Sequence, residues 1–307
     1  MVQKKYRIIS IGEILWDAMP SGLFLGGAPY NVAYHLARLG KEVGLISRVG
    51  KDDLGTEAIK RATLHGISTD LIQFDDYLNT GFVEVTLRNN GTPDYTIKRP
   101  VAWDEITLNE HMVDSIQLAD AVIFGTLAQR SETSKKSIQQ LATVNCLRVL
   151  DLNLRFPFVD RNVVEDSLKM ADILKINEDE LEMLQSWFQL SNDPKKSLKT
   201  LAVMFSLELV CVTRGGNGAM LWGNGEWLAS KGYNVEVADT VGAGDAFLAS
   251  IVSGYLEKVP AQKLLEYSNR LGAYVAGCNG GTPLYSVQSL SDIVSLPLKK
   301  VERNSNY

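Results

Sequence analysis

Short apolar runs alternate along the chain with stretches whose apolar positions recur at helical spacing. Six runs read as strands: YRIISIG (6–12), EVGLISRV (42–49), AVIFG (121–125), LRVLDL (147–152), DILKIN (172–177) and LELVCVT (207–213). Most are dense in β-branched or large apolar residues, as strands covered by helices on both faces are. Helices are expected in PYNVAYHLARLG (29–40), DLGTEAIKRATLHG (53–66), SETSKKSIQQLATV (131–144) and EDELEMLQSWFQ (178–189), two of them closed by Gly40 and Gly66. Repeated strand–helix alternation predicts an α/β fold with a mostly parallel sheet.

Two regions follow a different rhythm. Residues 80–100 alternate through Val83, Val85 and Leu87, turn at Asn89-Asn90-Gly91 and resume at Tyr95, which predicts a hairpin. A hairpin inserted in an α/β domain is either a lid or an edge of the main sheet. The run AMLWGNGEWLA (219–229) predicts a second hairpin. No repeat, low-complexity tract or linker divides the chain, and the closing ERNSNY reads as a frayed end.

Composition narrows the function. The chain has 307 residues, 45% hydrophobic and 22% charged, with a net charge of −5. No basic run appears, so nucleic acid and anionic membrane surfaces are not expected partners. No segment is long and apolar enough to span a membrane, and Glu13 interrupts the first apolar run, which therefore reads as a core strand and not a leader. Cys146, Cys211 and Cys278 are few, scattered and set in apolar surroundings, as buried thiols of a cytoplasmic protein would be. His35, His65 and His111 form no metal-ligand spacing.

The stretch DTVGAGDAFLAS (239–250) carries the clearest chemistry. A buried apolar helix begins after bare glycines, and its first amides, at Gly242, Ala243, Gly244 and Asp245, favour an anion. Asp245 then either decorates the first turn or serves as a base. Phosphoryl transfer reconciles acid and anion site: the amides face the phosphoryl oxygens while the carboxylate takes the proton of the attacking hydroxyl. There is no Walker loop, and no G-x-G-x-x-G follows the first strand.

DTVGAGDAFLASIVSGYL resembles the C-terminal signature of the ribokinase, or PfkB, carbohydrate kinases. LGGAPYNVAYHLARLG (25–40), continued by ISRVGKDDLG, resembles their N-terminal signature, and the likeness runs from about residue 6 to 294. GEILWD, LGGAP and RPVAWD look most like the fructokinases within that family. The resemblance implies a ribokinase-like, Rossmann-like α/β domain over 1–307, with a β-sheet lid drawn from about 14–26 and 75–103. It implies ATP-dependent phosphorylation of a sugar, fructose in the first instance, with Asp245 as base and Gly242 to Asp245 as the anion hole.

The resemblance also assigns other positions. Asp17, Gly26, Gly27, Asn31 and Arg99 would bind the sugar, and Arg155, in DLNLR (151–155), would meet sugar or phosphate. Strand alternation puts Asp151, Asn153 and Arg155 on one side. Asn177 and Glu180 form an N-x-x-E pattern, linked by resemblance to phosphate and to magnesium through water, and equally a capping box. Thr213, Gly215, Gly216 and Gly218 would bound the nucleotide, and Asn269 would flank the adenine. Asp239 and Val241 resemble a potassium site of some members. A homodimer is the expected assembly. 2-Keto-3-deoxygluconate, ribose and adenosine are alternative acceptors, and a non-catalytic sugar-binding regulator is the alternative from another class.

Overall fold

A computed structural model describes residues 7–19, 22–87, 93–286 and 290. The elements begin with β1 (Arg7–Ile11), β2 (Leu15–Met19), β3 (Gly22–Gly26), α1 (Ala28–Arg38), β4 (Glu42–Gly50), α2 (Asp53–Leu64), β5 (Ile72–Asp75), β6 (Gly81–Leu87), β7 (Pro93–Ile97), α3 (Glu110–Gln117) and β8 (Ala121–Gly125). They continue through α4 (Glu132–Gln139), β9 (Leu147–Asp151), α5 (Arg161–Met170), β10 (Ile173–Asn177), α6 (Glu178–Phe188), α7 (Pro194–Met204), β11 (Leu209–Thr213), β12 (Ala219–Gly223), β13 (Glu226–Ser230), α8 (Ala243–Leu256) and α9 (Ala261–Ala276).

All six predicted strands lie in one nine-stranded sheet, ordered β13-β12-β11-β10-β9-β8-β1-β4-β5. It is parallel from β11 to β5, and only the β12–β13 hairpin runs antiparallel. That hairpin turns at Asn224 and Gly225, both at positive φ (51° and 80°), which suits a tight right-twisted turn. Successive strand residues serve opposite cores. Ile8, Leu45, Ile123 and Val149 pack under α1, α2, α8 and α9. Ile9, Ile46, Val122 and Leu150 pack under α3 to α7. Gly40 and Gly66 adopt positive φ just past α1 and α2, as predicted.

The second sheet has four strands, ordered β3-β2-β6-β7. It unites the hairpin predicted at 80–100 with residues 15–26, so that hairpin is not an edge of the large sheet. The turn at Asn89-Asn90-Gly91 and the terminal ERNSNY lie outside the described residues. Of the three cysteines only Cys211 is buried, in β11, with its thiol pushed up to about 12 by burial; Cys146 and Cys278, expected to be buried as well, are half-buried. Among the described residues no helix is long and apolar enough to cross a membrane.

Candidate active site

The carboxyl ends of β1, β9, β10 and β11 open into a cavity of about 1350 Å³, bounded by the small sheet on one side and by α8 and α9 on the other. Ligands bind at this end of open parallel sheets because the loops there diverge. Its lining includes Asp17, Gly26, Gly27, Asn31, Arg155, Asn177, Thr213, Gly215, Gly216, Gly218, Asp239, Val241, the Gly242–Asp245 turn and Asn269. Residues drawn from most of the chain's length thus meet in one place.

α8 is apolar and buried from Asp245 to Gly254. Its N-cap, Gly242, is left-handed (φ 76°) and supplies no side-chain cap. The Ala246 amide makes the first helical bond, to Gly242 O at 2.9 Å, while the Ala243 amide turns back to Thr240 O at 3.3 Å. Gly244 and Asp245 amides therefore carry the open end of the helix dipole, and Ala243 contributes less than the sequence suggests. Asp245 is 9% exposed, and its Oδ2 accepts from Asn31 Nδ2 at 2.8 Å. Burial, then the charge of Asp151, pushes its carboxyl up to about 6, against Lys175, the Asn31 bond and Arg155.

α1 starts at Ala28 because Gly27 takes φ 103° and a proline follows in the first turn. A Cβ on Gly27 would lie 2.5 Å from Glu13 O, and one on Gly26 would lie 2.5 Å from Asp17 Oδ2. Gly26 thus leaves room for the Asp17 carboxylate, and Gly27 presses against the backbone of Glu13 and Ile14 just before β2. Burial pushes Asp17 up to about 6, with Asp239 and Asp245 adding to the rise and Arg155 opposing it. Asn31 Oδ1 is buried without a hydrogen-bond partner, an acceptor facing the neighbourhood of Asp245. A sugar hydroxyl is a suitable donor for it.

The capping box at Asn177 and Glu180 is present. Asn177 Oδ1 accepts from the Glu180 amide, and Glu180 Oε2 from the Asn177 amide, both at 2.8 Å. Glu180 Oε1 takes the Leu154 amide at 2.8 Å, so the carboxylate is buried beneath the cavity wall and both oxygens are engaged. Asn177 itself lines the cavity. Asn269 Nδ2 donates to Lys231 O at 2.5 Å and fixes the segment that runs on through Tyr233, Val235 and Val237 along the cavity. Asp239 Oδ1 accepts from the Val241 amide at 3.0 Å, and Oδ2 lies 3.4 Å from the Gly280 amide.

Two expectations need correction. Arg99 is exposed and is not among the residues lining the cavity. The inward position at the end of β7 belongs to Ile97, and Arg99 falls past the strand, where Lys98 pairs with Glu84 and its carbonyl accepts from Arg130. The alternation Asp151–Asn153–Arg155 also fails, because β9 ends at Asp151 and Asn153 turns to φ 41°. Asn153 and Arg155 still line the cavity, while Asp151 is buried against Lys175.

Lys175 escaped the sequence reading. It stands opposite Asp151 in the β9–β10 register, with Nζ 2.9 Å from Asp151 Oδ1. A Cβ on Gly244 would lie 2.8 Å from Nζ, so the ammonium touches the start of α8. Burial works against the charge, but Asp151, Glu180 and Asp245 together outweigh it and hold the ammonium protonated. Glu13 was read only as a break in a run. It is 3% exposed, lines the cavity, and is pushed up to about 7 by burial. Its signal was an acid at the end of a core strand.

A parallel α/β sheet, an acid at an amide-bare helix start and a buried ammonium beside it define a group-transfer enzyme that handles an anion. Residues 20–286 match the pfkB family carbohydrate kinase, and the chain belongs to that family. It is an ATP-dependent phosphotransferase acting on a sugar. The chain is 31% identical to the putative sugar kinase PH1459 of Pyrococcus horikoshii over 87% of its own length and 88% of that protein. The crystal structure of PH1459 in complex with ATP superposes with a TM-score of 0.75 over 90% of this chain and 94% of that one, at 28% identity. Fructokinase-2 of Oryza sativa subsp. japonica is 26% identical over 94% of each chain. A double mutant of the fructokinase from Vibrio cholerae O395, bound to fructose, ADP and a potassium ion, shares the fold with a TM-score of 0.77 over 92% of this chain and 96% of that one, at 23% identity.

Proposed function

We propose that the protein transfers the γ-phosphoryl group of ATP to fructose, giving fructose 6-phosphate and ADP. The observation that carries this reading is the buried Asp245, set at the open start of α8 and held by Asn31 at 2.8 Å. Asp245 takes the proton of the sugar hydroxyl as its oxygen attacks the γ-phosphorus and the bond to ADP breaks. The Gly244 and Asp245 amides, with Gly242 before them, stabilise the charge on the phosphoryl oxygens, and Lys175 adds a fixed positive charge beside them.

Asp17, the bare backbone of Gly26 and Gly27, and Asn31 Oδ1 hold the sugar. Arg155 lies between sugar and phosphate. The nucleotide lies along Asn177, Thr213, Gly215, Gly216 and Gly218, with the adenine near Asn269. The small sheet acts as a lid: Phe24 already reaches across, 3.3 Å from where a Cβ on Gly280 would stand. Closure excludes water, a competing acceptor.

Among the described residues no cluster of three or more acidic, His or Cys side chains could cage a metal. Magnesium prefers to keep waters and to bind through substrate phosphates, so it would need no such cage. Glu180 has both oxygens committed to backbone amides, so it would act on magnesium through water. Magnesium would offset the phosphate charge. Potassium would bind at Asp239 and the Val241 carbonyl. The protein would work in the cytoplasm as a homodimer.

Names among the relatives support fructose, and acceptor profiling tests it. ADP release is measured with MgATP against fructose, glucose, ribose, 2-keto-3-deoxygluconate and adenosine. Turnover strongest on fructose is expected. Turnover strongest on another acceptor would replace the substrate and keep the phosphotransferase.

A further inference from the structure

α1 holds two parts of the site from one face. Asn31 and His35 are one turn apart and point the same way. Asn31 reaches Asp245. His35 is fully buried, with Nε2 2.9 Å from Gly281 O and Nδ1 3.2 Å from the Tyr285 hydroxyl. The carbonyl can only accept, so Nε2 carries the proton and Nδ1 accepts from Tyr285. Burial pushes the imidazole down to about 4, which keeps it neutral. One tautomer and one ring orientation are thereby fixed.

The bonded peptide lies against the anion hole. A Cβ on Gly242 would stand 2.4 Å from Gly281 Cα and 2.6 Å from Gly281 O, and a Cβ on Gly281 would stand 3.1 Å from Asn31 Nδ2. Gly281 is thus wedged between α1 and the N-cap of α8. Moving it moves Gly242, and with it the first turn that carries Asp245 and its amides.

We propose that His35 is a positioning residue for phosphoryl transfer: its bond to the Gly281 carbonyl sets the spacing between α1 and the start of α8. The proposal rests on the reading of Asp245 as base. It differs from a purely structural role because the following segment has its own ties. Tyr34 donates to Pro283 O at 2.9 Å, Arg38 to Tyr285 O at 2.8 Å, and Tyr274 to Leu284 O at 3.1 Å. Without His35 the strap stays fastened at 283–285 and only the peptide touching Gly242 is released.

The test compares His35→Phe, which keeps a ring but no donor, with His35→Gln, whose amide can still donate to Gly281 O. Both are assayed with whichever acceptor the wild type turns over fastest, alongside thermal melting. A misplacement of the reacting groups by a fraction of an ångström is expected to lower kcat of His35→Phe by about 10- to 100-fold, with sugar KM within about threefold of wild type. His35→Gln should recover most of that loss. Unchanged kcat in folded His35→Phe, an effect on KM alone, or equal losses in both variants would overturn the proposal. Should His35→Phe fail to fold, His35→Met, which also lacks a donor to Gly281 O and has a more adaptable side chain, takes its place in the comparison with His35→Gln. A folded His35→Met with wild-type kcat would reject the positioning role. Full activity in Asp245→Asn would instead reject the base, separately from His35.

Discussion

Single side chains in this site are held in unfavourable surroundings. Glu13, Asp17 and Asp245 are pushed up to about 7, 6 and 6 from 4.5, 3.8 and 3.8. Each binds its proton more tightly folded than unfolded. Their contribution to stability is therefore full below the ordinary carboxylate values and is lost as pH rises through 6 to 7. Glu13→Gln removes one such loss and should raise the melting temperature relative to wild type near pH ~8, with the gain fading toward pH ~4.5. A variant that melts below wild type near pH ~8 would contradict this. For catalysis the sign is opposite, since a base must be ionised. kcat/KM should fall about tenfold per pH unit below about 6, as a pH–rate profile would record. Gly26 offers a steric test. Its missing Cβ leaves room for Asp17 Oδ2, so Gly26→Ala should displace that carboxylate and raise sugar KM by about tenfold or more, with a smaller change in ATP KM.

At the scale of elements, the start of α8 matters most. Gly242→Ala would place a Cβ at φ 76° and 2.4 Å from Gly281 Cα, so the turn must shift. Steady-state kinetics should show kcat reduced by about 100-fold, with a lower melting temperature from the strained backbone. Elements of this kind were legible because local chemistry marks them: glycine before proline at α1, glycine past α1 and α2, Asn-x-x-Glu at α6, and Asn-Gly between β12 and β13. α3, α5, α7 and α9 and the four-residue edge strand β5 were not read, although α3 and α5 are clearly amphipathic. Lys175 was hidden for a different reason. A lysine inside an apolar run gives no hint of its partner, and Asp151 becomes that partner only through the β9–β10 register. Arg99 misled because alternation would put it on the face of Ile97, and only the end of β7 at Ile97 takes it off the strand.

Across the whole molecule, one cavity joins residues separated by most of the sequence: Asp17 from the small sheet, Asn31 from α1, Arg155 after β9 and Asp245 on α8. The alternating pattern of strand and helix made the parallel sheet legible, and glycine-rich signatures near both ends marked two walls of the cavity. Strand order and the joining of β2–β3 to β6–β7 depend on pairings between distant segments, which periodicity does not encode. Size-exclusion chromatography with light scattering should give twice the chain mass if the protein is a homodimer; a monomer at micromolar concentration would reject that assembly. The most direct test of the account is a paired measurement on Asp245→Asn: turnover with MgATP and fructose, and fructose binding by calorimetry. The account predicts sugar binding close to wild type and kcat lower by about two to four orders of magnitude. Turnover near the wild-type rate would show that Asp245 is not the base.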